Sequence, residues 1–273
     1  MSLLRFTGVL AMAVATTASS PLNVQPVKAV RIVASDFKFD APASLPAGVT
    51  TFELVNKGSQ FHHLIIVRLD EGKTMQDVVE GMKHEGPPPP WFVMLGGPNA
   101  PTPGSDLPAN ATLVLEPGRY LIMCMVPTNG VPHAAMGMMQ ELTVTPAGAQ
   151  KASLPDPDIT MELSDYAFTL SQPLTAGKHT IRVTNKGPQL HEVELVKLAP
   201  GKSAQDLLKW FETEQGPPPG MPLGGAAPMV PGMSNNVSVD LTAGDYVVMC
   251  FLPDGKDGKE HFMHGMIQTY TVQ

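Results

Sequence analysis

Histidine, cysteine and methionine recur in the same order at two places in the chain. One series reads Cys-x8-His-x4-Met from Cys124, and the other reads Cys-x10-His-x4-Met from Cys250. A further histidine precedes each cysteine, at His62 and His191. Imidazole, thiol and thioether groups are donors for transition metals, so the pattern points to metal chemistry. A disulfide between the two cysteines is the competing interpretation, because exported chains commonly pair their cysteines.

The chain repeats itself once, and each copy contains one of the two series. Ser35-Asp36-Phe37 returns as Ser164-Asp165-Tyr166, and the Asn-Lys-Gly ending at Gly58 returns at the same offset, ending at Gly187. A long period with only two copies indicates duplicated domains rather than a solenoid. The predicted boundaries are a first domain at 28–146, a linker rich in Ala, Pro and Asp at 147–157, and a second domain at 158–273.

Each copy contains a series of predicted short strands and one predicted helix. Apolar and polar residues alternate at 51–55 and 180–184, as is typical of half-buried strands. Further strands are predicted at 64–67, 120–123 and 141–144, and at 193–196, 246–249 and 268–271. Thr74 and Ser203 each stand three residues before an acid, which predicts the N-cap of a short helix. We therefore predict an all-β chain of two tandem β-sandwich domains, each with a short helical insertion before the Cys strand.

This arrangement resembles the cupredoxin family, and the resemblance covers both copies. It implies Greek-key sandwiches that each hold up to one type 1 copper. Carried over residue by residue, the implied copper ligands are His62, Cys124, His133 and Met138 in the first domain and His191, Cys250, His261 and Met266 in the second. Two imidazoles, a thiolate and a weak axial thioether support cycling between Cu(II) and Cu(I). The resemblance thus implies single-electron transfer with a redox partner protein, with the ring edge of His133 or His261 as the electron exit.

Other functions fit the same residues. A copper chaperone or storage protein would hold Cu(I) and exchange it with a copper donor or acceptor, whereas a metal-free interaction module would use each Cys as a small buried hydrophobe. His63 and Glu192 follow the upstream histidines where the family commonly has Asn. We expect His63 to point away from the metal or to support a ligand. His264 is an alternative ligand, and an exposed loop position is the simpler expectation for it.

The two-domain copper nitrite reductases and multicopper oxidases are the catalytic relatives that the resemblance suggests. The reductases share the first loop's spacing, but they need a second copper held by a His directly before the Cys and a His shortly after the upstream one. Met123 and Met249 precede the cysteines, and Val67 and Val196 lie five residues past the upstream histidines. The His-x-His pairs of the oxidases are also missing. Without an open metal position a substrate cannot coordinate, so the sequence favours electron transfer or copper handling over catalysis.

Charge and the first residues restrict the partners and the location. The formal net charge of -7 argues against nucleic-acid binding, which needs a basic face. Arg5, a short apolar run and small residues after it predict a signal peptide at 1–20. That run is too short to cross a bilayer, and no membrane span is predicted elsewhere. The expected location is periplasmic or secreted.

Overall fold

The structure, a computed structural model, describes residues 27–83, 88–147, 152–213 and 215–273. The predicted signal peptide and residues 148–151 of the predicted linker lie outside these ranges. The first half contains β1 (Lys28–Ser35), β2 (Lys38–Asp40), β3 (Ser44–Pro46), β4 (Gly48–Asn56), β5 (Ile65–Leu69), α1 (Met75–Gly81), β6 (Phe92–Met94), β7 (Ala109–Leu115), β8 (Gly118–Met123), β9 (Pro127–Thr128), β10 (Val131–Pro132) and β11 (Met139–Thr145). The second half contains β12 (Ile159–Ser164), β13 (Ala167–Leu170), β14 (Gly177–Asn185), β15 (His191–Leu198), α2 (Ala204–Thr213), β16 (Gly220–Met229), β17 (Ser234–Leu241), β18 (Gly244–Met249) and β19 (Ile267–Val272).

Each half is a sandwich of two sheets packed face to face. In the first half, the sheet β3-β11-β8-β5-β6 packs on β7, β4, β1 and β2, and Phe52 and Leu113 share a buried cluster with Ile66 and Ile122. In the second half, β16-β15-β18-β19 packs in the same way on β17, β14, β12 and β13. Full burial of each such side chain contributes about 1.5–3 kcal/mol, so the two layers hold each other in place.

The sheet that carries each Cys is buried on both faces. Val78 of α1 packs in one cluster with Ile65 on the outer face of the first sheet. Leu207 of α2 packs with Val196 on the outer face of the second. Because a helix covers the outer side, the strands that lead to Cys are almost continuously apolar.

Both helices begin where the sequence predicted an N-cap. The Thr74 hydroxyl accepts a hydrogen bond from the Asp77 N–H at 3.3 Å, and the Asp77 carboxylate accepts one from the Thr74 N–H at 2.9 Å. Ser203 and Asp206 form the same reciprocal pair at 3.2 and 2.9 Å. The capping boxes are therefore confirmed.

A ten-residue strand forms in the Pro- and Gly-rich stretch of the second half, a composition that is typical of loops. This strand, β16, pairs with β15 through two register shifts and lies at the edge of its sheet. Its other side is joined to the first half by isolated bridges, so few ladder donors are needed there and proline is tolerated. Gly225 is required there, since its φ is 144° and a Cβ would lie 2.1 Å from the Val193 carbonyl oxygen.

The two halves share one sheet, a feature that the repeat alone did not predict. The order β13-β12-β14-β17-β7-β4-β1-β2 joins them where Asn236 of β17 pairs with Thr112 of β7. On the other layer, residues of the first half between β6 and β7 run antiparallel to β16, and the Ala227 N–H donates to the Gly97 oxygen at 2.8 Å. Hydrogen-bonded strands therefore connect the halves in both layers.

The predicted fold class is confirmed: the chain is mainly β, with two sandwich halves and a short helix ahead of each Cys strand. Within the described residues, no helix has the length and apolar character needed to cross a membrane. The exact domain boundaries at 28–146 and 158–273 stay predictions.

Candidate metal centres

The cysteines and histidines of each half meet at one end of its sandwich. Cys124 directly follows β8, and Cys250 directly follows β18. A one-turn 3-10 helix begins at His133 in the first half and at His261 in the second. The N–H of Ala134 donates to the Cys124 oxygen at 2.7 Å, which folds the turn back onto the cysteine.

In the first half, two imidazoles and a thiol face one another. The Nδ1 atoms of His62 and His133 are 3.0 Å apart. The Cys124 Sγ lies 3.5 Å from Nδ1 of His133 and 4.0 Å from Nδ1 of His62. All three side chains are fully buried.

The second half repeats this cluster. The Cys250 Sγ lies 3.4 Å from Nδ1 of His261, and the ring centroids of His191 and His261 are 4.8 Å apart. The donor atoms of the three residues all lie within 4.8 Å of one another. Nδ1 of His191 is buried and has no hydrogen-bond partner.

The two predicted methionines lie in the same buried clusters as the cysteines. Met138 accepts a backbone hydrogen bond from the Cys124 N–H, and Met266 accepts one from the Cys250 N–H, each at 3.2 Å. Both methionines are fully buried. The structure thus brings the eight predicted residues together in two groups, and their role as ligands stays a prediction.

The donor chemistry of both groups fits a soft or borderline cation. Neither Cys124 nor Cys250 forms a disulfide, so the disulfide interpretation is wrong. Burial raises the pKa of the Cys124 thiol to about 12 and raises that of Cys250 as well. Burial also lowers the pKa of His133 to about 4, which leaves a neutral imidazole with a free lone pair. A cation that displaces the thiol proton would satisfy the facing nitrogens, and two nitrogens with one sulfur suit copper.

Each upstream histidine is oriented by an aspartate that was not among the predicted site residues. Nε2 of His62 lies 3.1 Å from the Asp36 carboxylate, and Nε2 of His191 lies 2.9 Å from the Asp165 carboxylate. Hydrogen bonds from Ser59 do most to hold the pKa of Asp36 at about 2, so the carboxylate is ionised. An Nε2–H that donates to aspartate leaves Nδ1 unprotonated and facing the thiol. The repeated Ser-Asp-aromatic motif was the available signal.

The residue after each aspartate covers the downstream histidine. Phe37 and Tyr166 have left-handed φ angles of 62° and 67°, which cost about 1–2 kcal/mol in a residue with a side chain. Their rings stand edge-on to His133 and His261, with centroids 5.1 and 5.6 Å apart. Because both imidazoles are fully buried beneath these contacts, their ring edges do not reach the surface as the predicted electron exit requires.

The glycine of the repeated Asn-Lys-Gly motif is required by the aspartate–histidine contact. A Cβ on Gly58 would lie 2.3 Å from Oδ1 of Asp36 and 2.8 Å from Nε2 of His62. A Cβ on Gly187 would lie 2.5 Å from Nε2 of His191. Asn-Lys-Gly is typical of a turn, and the structure shows that its glycine also makes room for the pair that orients the imidazole.

The outer nitrogens of the downstream histidines have different surroundings. Nε2 of His133 lies 2.9 Å from the Thr128 hydroxyl and 3.1 Å from the Gln60 side-chain oxygen. Nε2 of His261 has no hydrogen-bond partner, and an Asp254 carboxylate oxygen lies 3.9 Å from it. The first site therefore has neutral neighbours at this position, and the second has a carboxylate.

Side-chain hydrogen bonds support the strand end beside each Cys, and one of these side chains is bonded across the halves. His63 accepts from the Met125 N–H at 2.8 Å, and Glu192 accepts from the Phe251 N–H at 3.0 Å. Asn99, from the first half, donates to Glu192 at 3.2 Å. His63 therefore points away from the first cluster, which is the first of its two expected roles. Its hydrogen bond supports the strand end beside Cys124.

The positions that the catalytic relatives would need for a second metal are apolar. Met123 and Met249 are fully buried, as are Val67 and Val196. His264 lies at the surface of the second loop, where Nε2 is 3.1 Å from an Asp257 carboxylate oxygen. It is not in the cluster formed by His191, Cys250 and His261.

Comparison with known proteins finds similarity among solved structures, and copper proteins are among the matches. No family model matches the chain, and no curated protein is significantly similar to it. The reduced auracyanin of Roseiflexus castenholzii is 22% identical with a TM-score of 0.32, and the match covers 44% of this chain and 98% of that one. The blue copper oxidase of Nitrosomonas europaea is 17% identical with a TM-score of 0.28, covering 90% and 86%. The copper nitrite reductase of the same organism is 14% identical with a TM-score of 0.25, covering 90% and 93%.

These TM-scores are too low to carry an argument about function. The cupredoxin-like character of each half is instead visible in its own architecture. A two-sheet sandwich places the Cys at the end of an inner strand, with the upstream His and the His–Met loop at the same end.

Proposed function

We propose that this chain is an exported copper protein that holds one type 1 copper ion in each half and transfers single electrons to or from a redox partner. The observation that carries the proposal is the pair of buried His–Cys–His clusters with inward-facing Nδ1 atoms. His62, Cys124, His133 and Met138 would hold one ion, and His191, Cys250, His261 and Met266 the other. Bound copper would supply a one-electron couple between Cu(II) and Cu(I).

In this function the protein would hold the donor atoms in fixed positions and exclude water from them. The aspartates hold the upstream imidazoles in one tautomer, and the two sheets fix the strands that carry the thiols. Full burial excludes water from both clusters. A rigid donor set that tolerates both oxidation states keeps the reorganisation on electron transfer small.

A second candidate function is the holding of Cu(I) for a copper donor or acceptor. It is favoured by the complete burial of His133 and His261, whose rings are in contact with Phe37 and Tyr166. Such covering slows contact with an electron partner and also slows loss of the ion.

The test is to load the protein with Cu(II) and to measure the thiolate-to-copper absorption of Cys124→Ser, Cys250→Ser and the double variant. We expect each single variant to lose about half of the absorption and the double variant to lose all of it, since the thiolate is the chromophore. His179→Gln, which changes a histidine outside both clusters, serves as the control. Undiminished absorption in both single variants would contradict the ligand assignment.

Reduction separates the two candidate functions. Reversible bleaching and recovery with a small reductant and oxidant support electron transfer. A protein that stays colourless and retains Cu(I) against a chelator supports copper holding.

A further inference from the structure

A second kind of metal-binding group lies on the surface of the longer loop. One oxygen each from Asp254 and Asp257 and one ring nitrogen of His264 lie within 4.8 Å of one another. The side chains of Asp257 and His264 are 38% and 28% exposed, whereas that of Asp254 is 2% exposed. The group is therefore buried on the side of Asp254 and open to solvent on the side of Asp257 and His264.

The donors are held in place before any cation binds. Asp254 accepts hydrogen bonds from the Tyr166 hydroxyl, from Gln189 at 2.9 Å and from the Lys256 N–H at 2.7 Å. The His264 ring lies against Tyr166, with centroids 4.9 Å apart and planes tilted by 31°. A site whose donors are already ordered loses little conformational entropy on binding.

The loop closes around Asp254 through its own backbone. The Asp254 N–H donates to the Lys259 oxygen at 2.7 Å, and the Gly258 N–H donates to the Asp254 oxygen at 2.9 Å. Asp257 sits at the tip, where it accepts from the Lys259 N–H at 3.1 Å. The Lys259 ammonium is 3.6 Å from Asp257 and 62% exposed, so it can move into solvent when a cation arrives.

A buried and unpartnered nitrogen also faces this group. Nε2 of His261 has no hydrogen-bond partner and lies 3.9 Å from Asp254, although the His261 side chain is fully buried. A buried polar atom without a partner is uncommon in a folded protein. With Nδ1 turned toward the Cys250 thiol, this Nε2 carries the proton and lacks an acceptor, which a water molecule bound to a cation on Asp254 would supply.

The first half lacks this group. Its loop is shorter by two residues, it has Met136 where the second half has His264, and Thr128 and Gln60 satisfy the outer nitrogen of His133. Among the residues that the structure describes, the groups with three such donors are this one and the two buried clusters. The surface group is therefore specific to the second loop.

We propose that Asp254, Asp257 and His264 form a binding site for a divalent cation of borderline softness, Zn(II) or Cu(II), at the surface above the second buried cluster. Two carboxylate oxygens and one imidazole nitrogen suit both ions, and the open side leaves room for water as a further ligand. The site does not depend on what the buried clusters bind. It gives the second half a place to collect a divalent cation that the first half does not have.

The test is equilibrium dialysis of the full chain against Zn(II), with bound metal counted in wild type, His264→Met and Asp257→Asn. His264→Met introduces the residue that the first half carries at this position. We expect wild type to bind one more Zn(II) than either variant, or to bind it at least ~10–100-fold more tightly, since loss of even an outer-sphere partner has that effect. His179→Gln should bind as wild type does, and thermal unfolding of each variant shows that the fold is kept.

A second arm uses Cu(II) added after the thiolate absorption has reached its maximum. We expect one further equivalent with no thiolate absorption, lost in His264→Met and Asp257→Asn, and bound more tightly than Zn(II). Equal metal content and affinity in wild type and both variants, for both ions, would refute the surface site. The thiolate absorption of the cysteine variants tests the buried sites separately, so failure of one proposal is distinguishable from failure of the other.

Discussion

At the scale of single residues, one hairpin turn in each half controls two imidazoles. Asp36 accepts the outer N–H of His62, and its neighbour Phe37 lies against His133. The left-handed backbone at Phe37 is what directs adjacent side chains of one turn to two different rings. A strained conformation retained at such a position is typical of a functional site.

Replacement of Asp36 by asparagine should weaken metal retention in the first half. In a Cys250→Ser background, which leaves only the first thiolate, we expect Asp36→Asn to lower copper affinity by ~10–100-fold, because the imidazole loses its orienting carboxylate. Competition with a chelator, followed by thiolate absorption, measures the change. Asp40→Asn, an exposed aspartate on β2, is the control, and equal retention by Asp36→Asn and the control would contradict the role assigned to Asp36.

The family resemblance and the repeated order of His, Cys, His and Met predicted these residues in both halves, because the same four types return at matching positions in each copy. Asp36 was not predicted as part of the site, although its motif was noticed. Its contact with His62 joins positions 26 residues apart and is created by the parallel pairing of β1 with β4. Local periodicity does not reveal such a pairing.

At the scale of elements, β15 carries the predicted ligand His191 and two buried acids. Glu192 and Glu194 follow His191 and are almost fully buried. Burial raises the pKa of Glu192 to about 7 and that of Glu194 well above its ordinary range. Asn99 and the Ala100 N–H, both from the first half, supply hydrogen bonds to these carboxyl groups.

The raised pKa of Glu192 makes stability depend on pH. A carboxyl group whose pKa is raised from 4.5 to about 7 on folding stabilises the protein below pH 4.5, and this contribution is lost as the pH rises to 7. For Glu192 the loss is roughly 3 kcal/mol. Glu192→Gln keeps the hydrogen-bond acceptor and removes the charge, so its free energy of unfolding should fall less between pH 4.5 and pH 7.

Urea unfolding of the metal-free protein across this pH range measures the effect. Glu162→Gln, on an exposed position of β12, is the matched control and should keep the wild-type slope. An unchanged pH slope in Glu192→Gln would show that Glu192 is ionised in the folded protein throughout.

The strand β16 marks the limit of prediction at this scale. Its Pro and Gly residues are depleted in ordinary strands, so composition indicated a loop. The strand forms because β15 offers free backbone groups on one side and the first half contributes pairing on the other. Tertiary contacts of this kind outweigh local propensity.

At the scale of the whole molecule, side chains of one half join the two halves by hydrogen bonds to backbone groups of the other half. Asn235 is fully buried, accepts from the Gly97 N–H and donates to the Leu95 oxygen, each at 2.8 Å. These partners are 138 and 140 residues away in sequence. The repeat predicted two units, but contacts at such separations, which join the units into one sheet, leave no periodic signal.

Because these contacts join the two halves into one sheet, we expect the metal-free protein to unfold in one transition. Trp91 lies in the first half and Trp210 in the second, so Trp91→Phe and Trp210→Phe variants report on each half by fluorescence. The unfolding curves of these two variants should coincide when Asn235 is unchanged. Asn235→Ala leaves two buried groups unpaired at a cost of about 1–3 kcal/mol each, and it should lower both curves together.

Gln172→Ala, which removes an exposed amide, should shift neither curve measurably. Two separate transitions in wild type, or a shift confined to one tryptophan in Asn235→Ala, would show that the halves fold independently.

A sheet assembled from two copies of one unit has a tendency to continue, since a third copy could add at either free edge. Here the outermost strands are β2 and β13, which are three and four residues long, and the ends of β2 are the exposed charged residues Lys38 and Asp40. Short and charged edges offer few groups for a further strand. The hairpins whose turns orient the imidazoles therefore also form both edges of the shared sheet, where they leave little backbone for a further strand to pair with.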